Sequence, residues 1–351
     1  VARRASFGLT LSNRGVVLGR FAASALLDLA AQADACDLLH HVWVGDSILN
    51  KPRLETIALL GAVAGRTRRV RLGVGCMATF VQRHPVLFAL QWASLDVISN
   101  GRALLAACLG YPGGMTPSGD KEYEVMGIQA KERPQRFVEM LQALRVLWSD
   151  CPATFTGRYY AFDGVDLEPK PIQQPCPIWI ASNPTERTIG AAGVERALRR
   201  VARFGDGWMT GTTRPPAFHA YWDRIREYAS EAGRAPDALE SCMYYGFNVN
   251  RDPSRASRET KEFLEAYYAP LKFPDEWLPS WAATGTAEQV TAMLRDYVDA
   301  GADHITLRPT SWDQAGQFRI LVEQILPALG AAAVGRVAAS GEPPSAAGRS
   351  A

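Results

Sequence analysis

The sequence predicts a closed (β/α)8 barrel, an α/β TIM barrel, on two observations. Between residues 6 and 329, short apolar strands alternate with amphipathic helices eight times, which is the pattern of a parallel sheet. The chain has 351 residues, and such a barrel commonly takes about 250 or more as one domain. A doubly wound open sheet is the alternative reading of the same alternation. The domain is expected to occupy residues 1–330. Residues 331–351 are small, aperiodic and rich in Pro, Gly and Ser, and are expected to be a disordered tail.

The elements follow in order. "SFGLTLS" is the first strand, with a helix near 18–35. "HVWVGD" is the second, followed by the helix "RLETIALLGAVAGRT". "VRLGVGC" is the third. His84-Pro85 then opens "PVLFALQWASLDVIS", since proline suits a first helical turn, and Asn100-Gly101 closes it. "RALLAACLG" is the fourth strand. A long insertion, "YPGGMTPSGDKEYEVMG", is expected to be a loop leading to the helix "PQRFVEMLQALRVLWS". "PIWIAS" and a helix near 190–203 make the fifth unit, and "DGWMTG" and "AFHAYWDRIREYASEAG" the sixth. "LESCMYYGFNVN" is the seventh strand, with helical pieces over 255–268. Thr286 and Gln289 form a capping-box pair before "AEQVTAMLRDYVDAG", and "HITLRP" is the eighth strand.

Composition excludes several classes. The formal net charge is +2, with no basic block, so nucleic acid is not expected as a partner. The six cysteines (36, 76, 108, 151, 176 and 242) show neither CxxC nor metal-ligand spacing and read as reduced thiols. No metal is expected. With no apolar run of about 20 residues and no signal-like start, a cytoplasmic location is expected.

In a barrel of this kind, chemistry sits at the carboxyl ends of the strands. That rule makes neighbours of Asn13 and Arg14, Asp46 and Ser47, Cys76 and Met77, and Gly110 and Tyr111. Ser182 and Asn183, Thr210 and Gly211, Tyr244, Tyr245 and Asn248, and Arg308 complete the ring. His40, His41 and His304 precede their strands, on the opposite side, and read as structural. The set holds no clear histidine and no carboxylate pair, so it lacks a hydrolase constellation. A site poor in acids and bases points to a cofactor that carries the reaction.

The runs "VWVGDSILNKPRLETIALLGAVAGRTRRVRLGVGCMATFVQRHPVLFALQWASLDVISNGRALLAACLG", "GRYYAFDGVDLEPKPIQQPCPIWIAS" and "RRVARFGDGWMTG" resemble the bacterial luciferase-like superfamily. Its members are barrel oxidoreductases that use reduced FMN or a related deazaflavin coenzyme, F-420. The resemblance implies a bulge ending the third strand, with a non-proline cis peptide behind the flavin ring. Counted back from His84-Pro85, that peptide is expected at Cys76-Met77. Gly193 and Val194, at a helix start, match the phosphate-binding pair of deazaflavin users. "SNPTERTI" looks like an insertion that blurs this register, so Ser182, Asn183 and Thr185 are alternatives. Gly110 and Asp46 are expected near the cofactor, with Asp46 bonding the ring edge.

Departures from the family shape the expected chemistry. Asp46-Ser47 stands where several members place a histidine, and Tyr111 where sugar-phosphate-oxidising members place a glutamate. Ser47 and Tyr111 are the catalytic candidates. The 111–127 segment is expected to close over the mouth and exclude water. Trp43, Phe80, Met115 and Tyr244 suggest an apolar substrate pocket. Without the acid–base pair, the expectation falls on an FMNH2-dependent monooxygenase acting through a C4a-peroxyflavin on a small apolar substrate, served by a separate flavin reductase. A deazaflavin-dependent hydride-transferring reductase or dehydrogenase is the alternative, and a non-catalytic flavin-binding protein is a third reading. Family members are commonly dimers, and the apolar helices "RLETIALLGAVAG" and "ALQWASLDVIS" are expected to join a homodimer.

Overall fold

The computed structural model describes residues 5–330 apart from 112 and 115. The expected tail at 331–351 and the candidate Met115 lie outside the described residues. Eight strands form the ring: β1 (Ser6–Thr10), β2 (His41–Val44), β3 (Arg71–Met77), β4 (Ala103–Ala107), β5 (Ile178–Ala181), β6 (Gly207–Thr210), β7 (Glu240–Val249) and β8 (His304–Pro309). Each pairs in parallel with its successor, and β8 pairs with β1. The sheet is a closed barrel, not an open one.

Helices sit where the 3.6-residue periodicity places them. The helix Pro85–Ile98 begins directly after an extended His84 (ψ 129°), a conformation that a following proline enforces. It ends at Asn100 (φ 57°) and Gly101 (φ 74°). The capping box before Ala287–Asp299 is present on both sides, Thr286 with Gln289.

Three features depart from the expected elements. The 111–127 segment is not all loop: it holds the helix Pro117–Val125, whose first turn is capped by Thr116 Oγ1 accepting from the Gly119 amide at 3.2 Å. An antiparallel hairpin, Ala153–Thr156 with Ala161–Val165, follows the Arg133–Ser149 helix. A short strand, Ala282–Gly285, pairs with the end of β7 outside the ring.

Trp43, Trp179, Leu104, Ala106, Met209 and Cys242 pack together inside the barrel. Two indoles fit there because neighbouring strands supply glycine. A Cβ on Gly73 would lie 2.1 Å from the Trp43 ring, and one on Gly207 would lie 2.6 Å from Trp179. At the amino end of the strands, the His41 and His304 rings lie 5.5 Å apart. Glu240 there faces His304 at 3.3 Å and Arg71 at 3.5 Å. These histidines lie away from the carboxyl ends, where the chemistry of barrels resides.

β3 changes facing along its length. Leu72 and Val74 belong to the layer between sheet and helices, while the bare backbone of Gly73 and Gly75 meets Trp43 inside. The pairing with β4 then slips between Gly75 and Met77. Beyond the slip, Cys76 packs against the inner cluster and Met77 joins the outer layer. The bulge is therefore present, and it inverts the alternation.

Candidate active site

The bulge ends β3 at the barrel mouth, and its cis peptide is Gly75-Cys76, one bond earlier than the expected Cys76-Met77. Met77 itself is fully buried outside the ring, so only Cys76 of the pair presents a side chain inward. Its thiol lies 2.8 Å from that of Cys108, just past the end of β4. Cys108 Sγ also approaches the Met77 carbonyl at 3.6 Å. The hydrogen bond to Cys76, and then burial, push the Cys108 thiol well above its ordinary range.

Asp46 follows β2 and is 7% exposed. Its carboxylate accepts from Thr56 Oγ1 at 2.9 Å and from the Thr79 amide and hydroxyl, both at 2.7 Å. Arg83 stands 3.4 Å away. These donors tie the end of β2 to the chain beyond the bulge. Ser47 Oγ accepts from the Lys51 amide at 2.9 Å and fixes the 47–51 turn.

The insertion after β4 is latched onto that turn. Glu122, on the Pro117–Val125 helix, is 4% exposed. One of its oxygens accepts from the amides of Ile48, Leu49 and Asn50 at 3.2, 2.6 and 2.9 Å. The other accepts from Gln82 Nε2 at 3.0 Å. Thr116 Oγ1 donates to Asn50 Oδ1 at 2.6 Å. Tyr111 lies within the insertion: its phenol accepts from the Thr116 amide, and its carbonyl accepts from Tyr123 Oη at 2.8 Å. Gly110 has φ 76°, and a Cβ there would meet the Ala78 carbonyl and Tyr123 Oη, each at 2.6 Å. Phe80, expected in the pocket, instead packs among the outer helices against Phe88 and Phe137 at 5.8 and 5.4 Å. Its place just past the bulge sends it outward.

After β5, Asn183 Oδ1 accepts from Thr210 Oγ1 at 2.9 Å and from the Gly211 amide at 2.7 Å, joining β5 to β6. The Ser182 amide donates to the Met209 carbonyl at 2.9 Å. The helix Glu186–Phe204 is broken at Gly190 (φ 63°, ψ 167°), so a second helical start falls at 191–193. Gly193 and Val194 are buried in that turn, and a Cβ on Gly193 would lie 2.8 Å from Ile189. Amides at such a start point outward and suit a phosphate. Arg199, on a later turn, is engaged elsewhere: it pairs with Glu231 at 3.0 Å.

Across the mouth, Arg308 and Tyr244, both expected at strand ends, meet aromatic rings that the sequence did not single out. Arg308, ending β8, is 2% exposed and donates to Tyr268 Oη at 2.9 Å. The rings of Tyr244, Tyr267, Tyr268 and Phe263 surround its guanidinium at 4.7–5.7 Å. Lys51 lies 5.1 Å from the Tyr268 ring and Arg53 5.6 Å from that of Tyr267. Burial lowers the Lys51 ammonium from its ordinary range, and the nearby arginines add to this. Burial would raise the Tyr268 phenol, but Arg308 and Lys51 outweigh it and draw it down. Burial pushes the Tyr244 phenol well up. Tyr267 and Tyr268 were not singled out from the sequence; their adjacency in "EAYYAPLK" is the signal that could have found this wall.

Several buried polar atoms at this end have no partner among the described residues: Ser12 Oγ, Arg14 Nε, Asn248 Oδ1 and Arg308 Nε. Unsatisfied groups gathered at one end of a barrel, across its mouth from a bulge with no side chains at 73 and 75, fit a ligand site with room for a flat cofactor against the bulge. Among the described residues, no group of three or more His, Cys, Asp or Glu could hold a metal ion. No described helix is long and apolar enough to cross a membrane.

Fold, bulge and mouth together define a closed (β/α)8 barrel with a candidate site at the carboxyl ends of its strands. The family described as luciferase-like monooxygenase matches residues 6–304, and the chain belongs to it. An F420-dependent glucose-6-phosphate dehydrogenase of Nakamurella multipartita is 27% identical over 88% of this chain and 94% of that protein. Among solved structures, an F420-dependent secondary alcohol dehydrogenase with an F420-acetone adduct superposes at TM-score 0.78, with 22% identity, over 93% of this chain and 99% of that one. Monooxygenase RslO1 from Streptomyces bottropensis gives 0.71 and 24%, over 92% and 99%.

Proposed function

We propose that this chain is a deazaflavin-dependent oxidoreductase that moves hydride between the coenzyme and a small organic substrate. The observation that carries the reading is the likeness along 88% of the chain to dehydrogenases whose names specify F420. This favours the alternative over the FMNH2-dependent monooxygenase that the missing acid–base pair first suggested. Likeness to RslO1 speaks for the shared fold alone.

The residues fit such a coenzyme. The backbone at Gly75-Cys76 would back the ring, and the amides at 191–193 would take its phosphate. When bound, the deazaflavin supplies a hydride donor or acceptor that reacts poorly with oxygen. The chain's own part is to hold and enclose. Asp46 fixes the β2 end against the bulge, and Ser47 shapes the turn that Glu122 grips. Tyr111 braces the insertion that keeps water from the mouth.

Parallel absorbance titrations with FMN and with the deazaflavin test the reading. Tight binding of the deazaflavin and weak binding of FMN are expected. Tight binding of FMN alone would return the monooxygenase to first place.

We also propose a homodimer through the Pro85–Ile98 helix. Leu87, Val97 and Ile98 are 57, 41 and 63% exposed there.

A further inference from the structure

The cations of the mouth have no carboxylate partner among the described residues. Arg14, Lys51, Arg53 and Arg308 form no ion pair with any described residue. Asp46 and Glu55, the carboxylates nearest in sequence to Lys51 and Arg53, are both taken by Arg83, at 3.4 and 3.0 Å. Removing an unpaired guanidinium from water is costly, and aromatic faces offset only part of that cost. Arg308 is nevertheless 2% exposed, with one nitrogen on Tyr268 and its Nε unpartnered. A fold that keeps such a charge here is built for something negative.

We infer that the Arg308 cage binds the carboxylate of a substrate with an otherwise apolar or aromatic body, with Lys51 as a second positive charge at the rim. Ring faces enclose the guanidinium, so an edge is what remains for a ligand. A planar, two-oxygen group matches the edge of a guanidinium. One guanidinium edge offers two parallel donors, which a carboxylate uses fully and a tetrahedral phosphate does not. The walls also suit an apolar body better than a sugar. The word "substrate" rests on the proposed hydride transfer, whereas the binding itself does not.

The test uses the full chain without coenzyme and follows tryptophan fluorescence on titration with benzoate, benzamide and phenyl phosphate. Benzoate is expected to bind roughly tenfold or more tighter than benzamide, whose shape is the same but whose charge is absent. Arg308→Lys should lose that preference. Lys51→Met, at the rim, should weaken it several-fold and guards against a misfolded Arg308 variant. Deazaflavin added at saturation should leave benzoate binding in place. Equal binding of benzoate and benzamide overturns the proposal, as does tighter binding of phenyl phosphate. Displacement of benzoate by the deazaflavin overturns it too, because the cage would then hold the coenzyme's own anionic tail. If benzoate discriminates but the deazaflavin does not bind, the cage stands and the coenzyme reading falls.

Discussion

The thiols of Cys76 and Cys108 lie 2.8 Å apart, across the carboxyl ends of two neighbouring parallel strands. The other four cysteines are also free thiols. This pair alone combines close approach with a place at the candidate ring site. Mild oxidation with diamide, which takes up the two hydrogens, is expected to join them. Peptide mapping should find the 76–108 link, and Cys108→Ser should abolish it. Because Cys108 is pushed up in pKa, alkylation near pH 8 should modify Cys76 before Cys108. Equal labelling of both thiols would contradict the asymmetry.

Glu122→Ala removes the acceptor of three backbone amides and one side-chain amide. Hydrogen bonds to a charged group are each worth about 1.5–3 kcal/mol. A loss of at least that order is expected, together with faster hydrogen exchange at 47–51 and 116–125. Unchanged exchange in those segments would mean that the latch does not hold the insertion.

Acid should destabilise the protein in two windows. His41 is fully buried, and burial, reinforced by His304 and Arg71, holds its pKa well below 6.5. The unfolded chain therefore binds the proton that the folded one refuses. Stability is full above about pH 6.5 and falls below it, by up to about 1.4 kcal/mol per pH unit. His41→Gln should flatten that slope in urea denaturation between pH 7 and 5. Glu240 acts lower. Burial would raise its pKa, but His304 and Arg71 bring it down to about 2. Its contribution is present above about pH 4.5 and fades toward pH 2; with the side chain 41% exposed, it is worth less than the shift implies.

Gly193→Val would press a branched side chain into Ile189, which already lies 2.8 Å from an ideal Cβ. If the turn after Gly190 holds the coenzyme phosphate, affinity for the deazaflavin should fall roughly tenfold or more, while far-UV circular dichroism stays unchanged. Unaltered affinity would move the phosphate to Ser182, Asn183 or Thr185.

Light scattering at micromolar concentration should give twice the 38.3 kDa chain mass. Leu87→Glu should return the protein to a monomer, since it buries a charge in the proposed contact.

The barrel was legible because parallel strands and their helices write period two and period 3.6 directly into the chain. The bulge was legible to within one peptide, as counting back from His84-Pro85 fixes a place but not which residue is doubled. Glu122 was not legible as a site residue, and Arg308 was legible only as one of the residues at the carboxyl ends of the strands. Glu122 sits in a segment whose glycines and prolines hide a nine-residue helix. Its partners lie 40 residues away at Gln82 and 72–74 away at Ile48, Leu49 and Asn50. Arg308 ends a strand like many arginines, and what sets it apart, four ring faces and no carboxylate, exists only in three dimensions. Phe80 misled for the opposite reason: an aromatic residue near a site need not face it.

The slip at Gly75 also sets how variation in this strand must be interpreted. Ahead of it, a side chain at an odd number would enter the lumen; past it, the even-numbered Cys76 does so, and Met77 turns to the helices. Losing one residue here would exchange the two environments, placing a bulky thioether where a cofactor ring should lie and a small thiol in the helix packing. The strand therefore tolerates a change of letter far better than a change of count. A relative that differs here by a single insertion or deletion should differ in what it can bind, even where every other residue of the barrel is retained.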